Sequence, residues 1–185
     1  MYNIEKIKKD LKEILSEKRY SHSLRVSEIA LDLAKKYNED TNKAYIAGLV
    51  HDIAKEFTEE QNIYYITKYN LSKRYLKKEC KNVLHGPVGA AYLKEKYDME
   101  DEICNAVKVH TTASSNMTML DKIIFVADKI EPNKNHLGVE EERKLAYTNI
   151  DKCIILCLEN NIKNLKERDK IFDETIIKTL SILKK

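Results

Sequence analysis

The chain has 185 residues, with 33 Lys and Arg against 30 Asp and Glu, for a formal net charge of +3. Its 4 glycines and 2 prolines exclude collagen-like and Gly/Ser-rich disordered chains and argue against an all-β fold built on tight glycine turns. With 43% hydrophobic and 34% charged residues, in a length that suits one well-buried core, the composition reads as a single-domain, all-α protein made of amphipathic helices.

In chain order, an opening helix is expected over 3–18. A second, over 22–37, follows from the i, i+3, i+4, i+7 stripe of Val26, Ile29, Ala30, Leu33, Ala34 and Tyr37. The third, over 42–55, is apolar nearly all round from Tyr45 to Ala54 and is therefore central to the core. Thr58 and Gln61 form a capping-box pattern that opens a fourth helix. A short helix is expected over 72–81, and Pro87 suits the first turn of another that runs to 97. Helices follow over 100–110, 118–130, 141–167 and 170–183, with irregular stretches at 111–117 and 132–139. The tyrosines Tyr64, Tyr65, Tyr69 and Tyr75, near Arg74, Lys77 and Lys78, are read as helix packing with a solvated basic face rather than a base-stacking platform.

Other classes fall away on the same evidence. A charge of +3 spread over both signs lacks the clustered basic face of a nucleic-acid binder. No run reaches the roughly 18 apolar residues of a membrane span, and the stretch from Met1 to Leu11 mixes charged and apolar groups, unlike a signal peptide. Four cysteines without a CxxC pair fit a reduced, cytoplasmic protein. Cys153 and Cys157 stand one turn apart; a shared metal and a pair of buried core thiols are both open, the second being the usual fate of such residues. Walker loops, nucleophile elbows and Cys–His nucleophile patterns are absent from the sequence.

The informative residues are polar ones on apolar faces. His22 lies four residues before Val26; His51 and Asp52 interrupt the apolar run 45–54; His85 opens the helix of Val88, Tyr92 and Leu93. His110 continues Ile103, Ala106 and Val107, and Asp128 continues Leu120, Ile123, Ile124 and Ala127. A buried carboxylate without a partner costs several kcal/mol. One inward histidine is ordinarily a satisfied core residue, and buried His–Asp pairs are common. Four histidines and two aspartates together weigh instead toward a metal centre of Fe, Mn, Zn or Co. Six ligands exceed what one catalytic ion needs, and His51 and Asp52 lie about 100° apart on a helix. Both points favour two ions bridged by Asp52, able to activate water for in-line attack on phosphorus.

The order His22, His51-Asp52, His85, His110, Asp128 resembles the HD superfamily of metal-dependent phosphohydrolases, in its two-metal subclass. The segments Ala47-Gly-Leu-Val-His-Asp-Ile-Ala-Lys55, His110-Thr-Thr112 and Val126-Ala-Asp-Lys-Ile-Glu-Pro132 are similar to the YqeK-type family of bacterial symmetrical bis(5′-nucleosyl)-tetraphosphatases. The resemblance runs from about Arg19 to Arg143. It implies one HD domain over 1–185, with a metal-binding core at about 19–132 and C-terminal helices at about 141–183 packed on it. It also implies two metal ions, usually iron, and cleavage of diadenosine tetraphosphate into two ADP by a metal-bridging hydroxide. His22, His51, Asp52, His85, His110 and Asp128 fall on the family's ligand positions; on the reading of the residues themselves, Asp52 and Lys55 are the expected catalytic residues. Ala113 stands where the family often has glycine, and Asn133-Lys134 where it usually has Gly-Arg.

Around those ligands, Lys55 shares the face of His51, where it can hold a phosphate oxygen or end its helix against the dipole. Thr111 and Thr112 either bind phosphate or satisfy the last carbonyls of a helix. Lys129 is a phosphate counter-charge or an exposed lysine, and Arg25 has the same two readings. Lys134 and Arg143 are further phosphate contacts, His136 a surface loop residue, and Glu140 to Glu142 the first turn of a helix. The expected partner is a small nucleotide, with neither nucleic acid nor membrane, and a homodimer is open. Two other readings remain: another HD-type nucleotidase, dNTPase or phosphodiesterase, and a non-catalytic nucleotide-binding module.

Overall fold

The computed structural model describes residues 2–171 and 173–185. Met1, which begins the stretch compared with a signal peptide, and Phe172, inside the helix expected over 170–183, lie outside them. The described residues form ten α-helices and no β-strand. In α1 (Ile4–Ile14) the Asn3 side chain accepts from the Lys6 amide, and Ile7 and Leu11 turn inward. α2 (Glu17–Tyr37) ends at Asn38, whose φ of 54° is left-handed. α3 (Thr41–Val50) starts on the Asp40 carboxylate, which accepts from the Asn42 and Lys43 amides. α4 (Glu59–Lys68) carries the full Thr58–Gln61 capping box. Then come α5 (His85–Tyr97), α6 (Asp101–Val109) and α7 (Met119–Ile130), the last opened by a Thr118–Asp121 box. α8 (Val139–Ala146), α9 (Ile150–Glu167) and α10 (Thr175–Leu183) complete the chain.

Helices α2, α3, α5, α6 and α7 pack against one another around a single apolar core, and α8 to α10 are layered on α7 through α9. α7 is central, with Leu120, Ile123, Ile124, Phe125, Val126, Ala127 and Ile130 all buried. A smaller apolar cluster of Ala54, Ile66 and Val88 joins α4 to α5, and Phe57, Tyr65 and Tyr75 pack on it, the role expected of those two tyrosines, whereas Tyr64 is exposed. Two glycines set how closely helices meet. A Cβ on Gly48 would stand 2.8 Å from the Ser27 Cα, and one on Gly86 2.8 Å from the Lys108 carbonyl oxygen. The α2–α3 and α5–α6 contacts therefore exclude a side chain at those points.

Several helix limits differ from those read in the sequence. The boundary between the first two helices falls at Leu15-Ser16, so α2 begins at Glu17 rather than 22 and α1 stops at Ile14 rather than 18. α3 ends at Val50, and the backbone continues in turns through Glu56. Residues 72–81 form two 3₁₀ turns, Lys73–Leu76 and Lys78–Cys80, separated by extended Lys77. The single helix expected over 141–167 is broken at 147–149, because the Asn149 side chain leaves the helical path and caps α9 at the Lys152 amide. The final helix begins at Thr175, after a left-handed Asp169 at φ 48°.

Candidate metal centre

α2 delivers His22, the end of α3 delivers His51 and Asp52, the first residue of α5 is His85, His110 follows α6, and Asp128 lies in the last turn of α7. All six are buried. They fall into two groups that share Asp52: His22, His51 and Asp52 in one, Asp52, His85 and His110 in the other. Oδ2 of Asp52 stands 3.9 Å from His22 Nε2 and 3.7 Å from His51 Nε2. Its Oδ1 stands 3.1 Å from His85 Nε2 and 3.7 Å from His110 Nε2. Asp128 Oδ1 joins the first group, 3.1 Å from His22 Nε2 and 3.8 Å from His51 Nε2.

Local hydrogen bonds decide which nitrogen faces the centre. His51 Nδ1 donates to the Gly48 carbonyl at 2.7 Å, and His110 Nδ1 to the Val107 carbonyl at 2.6 Å. Each Nε2 then carries a lone pair directed at carboxylate oxygens or at another imidazole; His85 and His110 bring their Nε2 atoms to 3.1 Å. His51 Nε2 is buried without a hydrogen-bond partner. Acceptors facing acceptors in a dry interior need a proton or a cation between them. Burial pushes the His51 pKa down to about 4 and that of His85 down to about 3, so protons do not fill the role at neutral pH. Burial also works against the charge of Asp52, but the surrounding histidines, His51 foremost, hold its pKa well below the usual carboxylate range. Asp128 is held down in the same way by Lys129 and Lys134. The neutral rings of His51 and His85 and the ionised carboxylates of Asp52 and Asp128, with His22 and His110 beside them, form a ligand set for a divalent metal ion.

A cavity of about 390 Å³ opens over this centre and reaches Asp52, His85, His110 and Asp128. Lys55, Thr111, Lys129 and Lys134 line it. Lys55 Nζ lies 3.2 Å from both nitrogens of His85, and burial pushes its pKa down. Lys129 is not an exposed lysine: its Nζ is 2.6 Å from Asp128 Oδ2, and Lys134 Nζ is 3.3 Å from Asp128 Oδ1. The Thr111 Oγ1 is buried without a partner.

Three residues stand elsewhere than the sequence reading placed them. Arg25 turns from the cavity to Glu131, with Nε 2.6 Å from Oε2. Thr112 is not among the cavity's lining residues and donates to the Ala113 carbonyl at 3.2 Å. Arg143 is not a phosphate contact either, because its guanidinium donates to the carbonyls of Ile130, Glu131 and Lys134 and so clamps the loop after α7. His136 does lie in the loop, partly exposed, with its Nε2 2.7 Å from the buried carboxylate of Glu142.

Two residues were missed. Arg19 Nη1 lies 3.1 Å from Asp52 Oδ2 and lines the cavity. Glu131 Oε1 lies 3.2 Å from His22 Nδ1. Neither lies on an apolar stripe, Arg19 being a half-exposed residue of the first turn of α2 and Glu131 the cap of α7; the signal available was that a histidine ligand needs a partner for its second nitrogen. Cys153 and Cys157 are buried, their Sγ atoms 3.9 Å apart, and Cys153 donates to the Glu142 carbonyl.

Comparison with known proteins finds similar chains. Residues 19–133 match the family model described as the HD domain. A Staphylococcus aureus protein named "Bis(5′-nucleosyl)-tetraphosphatase, symmetrical" is 40% identical over 178 residues, covering 94% of this chain and 91% of that one. A protein of the same name from Halalkalibacterium halodurans is 40% identical over 168 residues, 90% of this chain and 89% of that one. A crystal structure from Clostridium acetobutylicum, described as a predicted HD superfamily hydrolase involved in NAD metabolism, superposes with a TM-score of 0.92 at 37% identity, covering 99% of this chain and 97% of that chain.

Proposed function

Because the chain belongs to the HD-domain family, we propose that it is a metal-dependent hydrolase that splits diadenosine tetraphosphate symmetrically into two ADP. The relatives carry the name of that activity, and the chain shares the fold of a predicted HD superfamily hydrolase, with a buried His/Asp centre beneath a lysine-lined cavity. One observation carries the number of ions. The two oxygens of Asp52 face different histidine pairs, His22 and His51 on one side, His85 and His110 on the other. That is the disposition of a bridging carboxylate, and it supports two ions, with Asp128 completing the first. Imidazole and carboxylate donors suit iron, and also Mn, Co or Zn.

When bound, the ions supply Lewis-acid charge to the phosphoryl oxygens and lower the pKa of the attacking water. The chain supplies the rest. Lys129 and Lys134, both tethered to Asp128, offer charge to the phosphates on one side of the scissile bond. Lys55 stands beside His85 on another wall, and Arg19 holds Asp52 while half exposed to the cavity. The buried, unpartnered Thr111 hydroxyl is placed to hydrogen-bond a phosphate oxygen. These groups hold the polyphosphate still while water attacks in line, the largest contribution being fixed positive charge where negative charge develops. Chromatography of the products from diadenosine tetraphosphate, with metals quantified on the same sample, tests the reading. Two ADP and about two ions per chain are expected; AMP with ATP, or no turnover by fully loaded protein, would overturn it.

A further inference from the structure

A second cavity, of about 370 Å³, adjoins the first on its α9 side. Three residues, Lys129, Lys134 and Asn161, line both cavities. The far wall is the outer face of α9, with Asn161 and Asn164 three residues apart and Arg168 at the helix cap, and the near wall is the loop of His136 and Leu137. That loop is fixed rather than loose. Glu142, buried beneath it, accepts from His136 at 2.7 Å and from Asn160 Nδ2 at 2.8 Å, while Gly138 takes a φ of +90° to enter α8.

The metal centre and its lysines explain nothing about this second space. From it we propose that the cavity between α9 and the 133–138 loop seats one of the two nucleosides of the substrate, a purine nucleoside carried on the far half of the polyphosphate. The inference rests on the hydrolase reading above. Cleavage at the centre of a symmetric dinucleotide puts the scissile phosphorus at the metal centre and sends a phosphate and a nucleoside away in each direction. The metal-bearing cavity, extending to Asn82, Lys170 and Ile176, has room for one half. Lys129 and Lys134, which bond Asp128 and also border the second cavity, form the cationic passage for the other half's phosphates. Beyond them the lining includes Lys163 and Glu167, 4.0 Å from each other, and then groups suited to a base. Leu137, 86% exposed, offers an unpartnered apolar surface at the rim. The Arg168 guanidinium can lie flat on a ring. Among the described residues the Asn161 and Asn164 carboxamides accept from and donate to no other group, leaving both an amide N–H and a carbonyl to read a purine edge. The volume is that of a small-molecule site and admits a nucleoside.

The test compares a substrate with two nucleosides against one with the same four phosphates and a single nucleoside. Metal-loaded wild-type protein, Asn164→Ala and Arg168→Ala are assayed on diadenosine tetraphosphate and on adenosine tetraphosphate. Both substituted residues are exposed, Asn164 in the last turn of α9 and Arg168 at its C-terminal cap, so folding is checked simply by an unchanged melting temperature. The ratio of kcat/KM for the dinucleotide to that for the mononucleotide should fall about tenfold in each variant, through KM, as one lost base contact implies. Equilibrium binding of a diadenosine tetraphosphate analogue with a methylene at the central bridge should weaken in parallel. Equal losses on both substrates, or no loss on either, would overturn the subsite while leaving the hydrolase reading intact. Wild-type protein inactive on the dinucleotide would overturn both.

Discussion

Glu131 holds His22 by the nitrogen that faces away from the metal centre. Its Oε1 is 3.2 Å from His22 Nδ1, while its Oε2 accepts from Arg25 Nε at 2.6 Å and from the Asn133 amide at 2.9 Å. The carboxylate is buried, and burial alone would raise its pKa; Arg25 and the Asn133 amide bring it below the usual value. It thus keeps the proton on Nδ1 of His22 and leaves Nε2 free for a metal. Glu131→Gln retains the shape and removes the charge. Metal affinity at the His22 side should drop about 10–100-fold, read by competition with a graded chelator, with helix content unchanged by circular dichroism. Full metal retention in Glu131→Gln would show that the carboxylate does not act on His22.

Asp52 belongs to both ligand groups, whereas His110 belongs to one. Asp52→Ala should therefore abolish activity and lower the bound metal on both sides. His110→Ala should remove about one ion and leave the His22–His51–Asp128 group loaded. Elemental analysis after gel filtration distinguishes the two outcomes, and a fully active Asp52→Ala protein would be incompatible with a bridging role.

The six His and Asp side chains that converge between the helices were legible because each is a polar residue on a helix face that the surrounding residues commit to the core. The neighbours that complete the centre carry no such mark. Arg19 and Glu131 sit in the first turn of α2 and at the end of α7, where charged residues are ordinary. The left-handed backbone at Ala113, φ 57°, was foreshadowed only by the resemblance, whose members often place glycine there. The break between α8 and α9 depends on Asn149 choosing a cap over a helical turn, a local choice with little energy on either side. Arg25 and Arg143 show the limit of proximity in sequence: both lie near ligands or loop, and both spend their guanidinium on the protein itself.

Acid should destabilise the metal-free protein before it protonates the carboxylates. His51 and His85 have pKa values lowered by burial to about 4 and about 3, against about 6.5 in an unfolded chain. Between those values the unfolded state binds more protons than the native one, so stability rises with pH and is lost as pH falls below about 6.5. Asp52 and Asp128, whose pKa values are lowered as well, lose their contribution only below the ordinary carboxylate value of 3.8. From pH 7.5 to pH 5 the loss therefore comes from the histidines, on the order of 1–2 kcal/mol each. Urea unfolding of chelator-treated protein should show the midpoint falling over this interval, and a flat midpoint would contradict neutral burial of the two rings.

Lys134 occupies the position where the resembling family usually has arginine, and its Nζ reaches Asp128 Oδ1 at 3.3 Å. Lys134→Met should raise KM for diadenosine tetraphosphate about tenfold by removing a phosphate counter-charge. Lys134→Arg should retain affinity or improve it, because the guanidinium can grip two phosphate oxygens at once. An identical KM in all three proteins would show that the lysine serves Asp128 alone.

Glycine at position 48 ties the packing of the bundle to the metal centre. A Cβ there would meet the Ser27 Cα at 2.8 Å and the Ala30 Cβ at 3.1 Å, so α2 and α3 must part to admit it. The Gly48 carbonyl is also the acceptor that orients His51. Gly48→Ala should cost about 1–3 kcal/mol by overpacking and weaken metal binding as His51 shifts. Gly89, also inside a helix, is the matched control. Its added Cβ would find ordinary contacts, Val107 Cγ1 at 3.4 Å and Ile53 Cγ2 at 3.5 Å, and alanine gains about 0.5–1 kcal/mol in helix propensity. Gly89→Ala should therefore be neutral or stabilising, with metal content unchanged. Melting curves and metal analysis on the pair separate a general intolerance of the helices from a specific need for close approach at Gly48; equal destabilisation of both variants would leave that need unsupported.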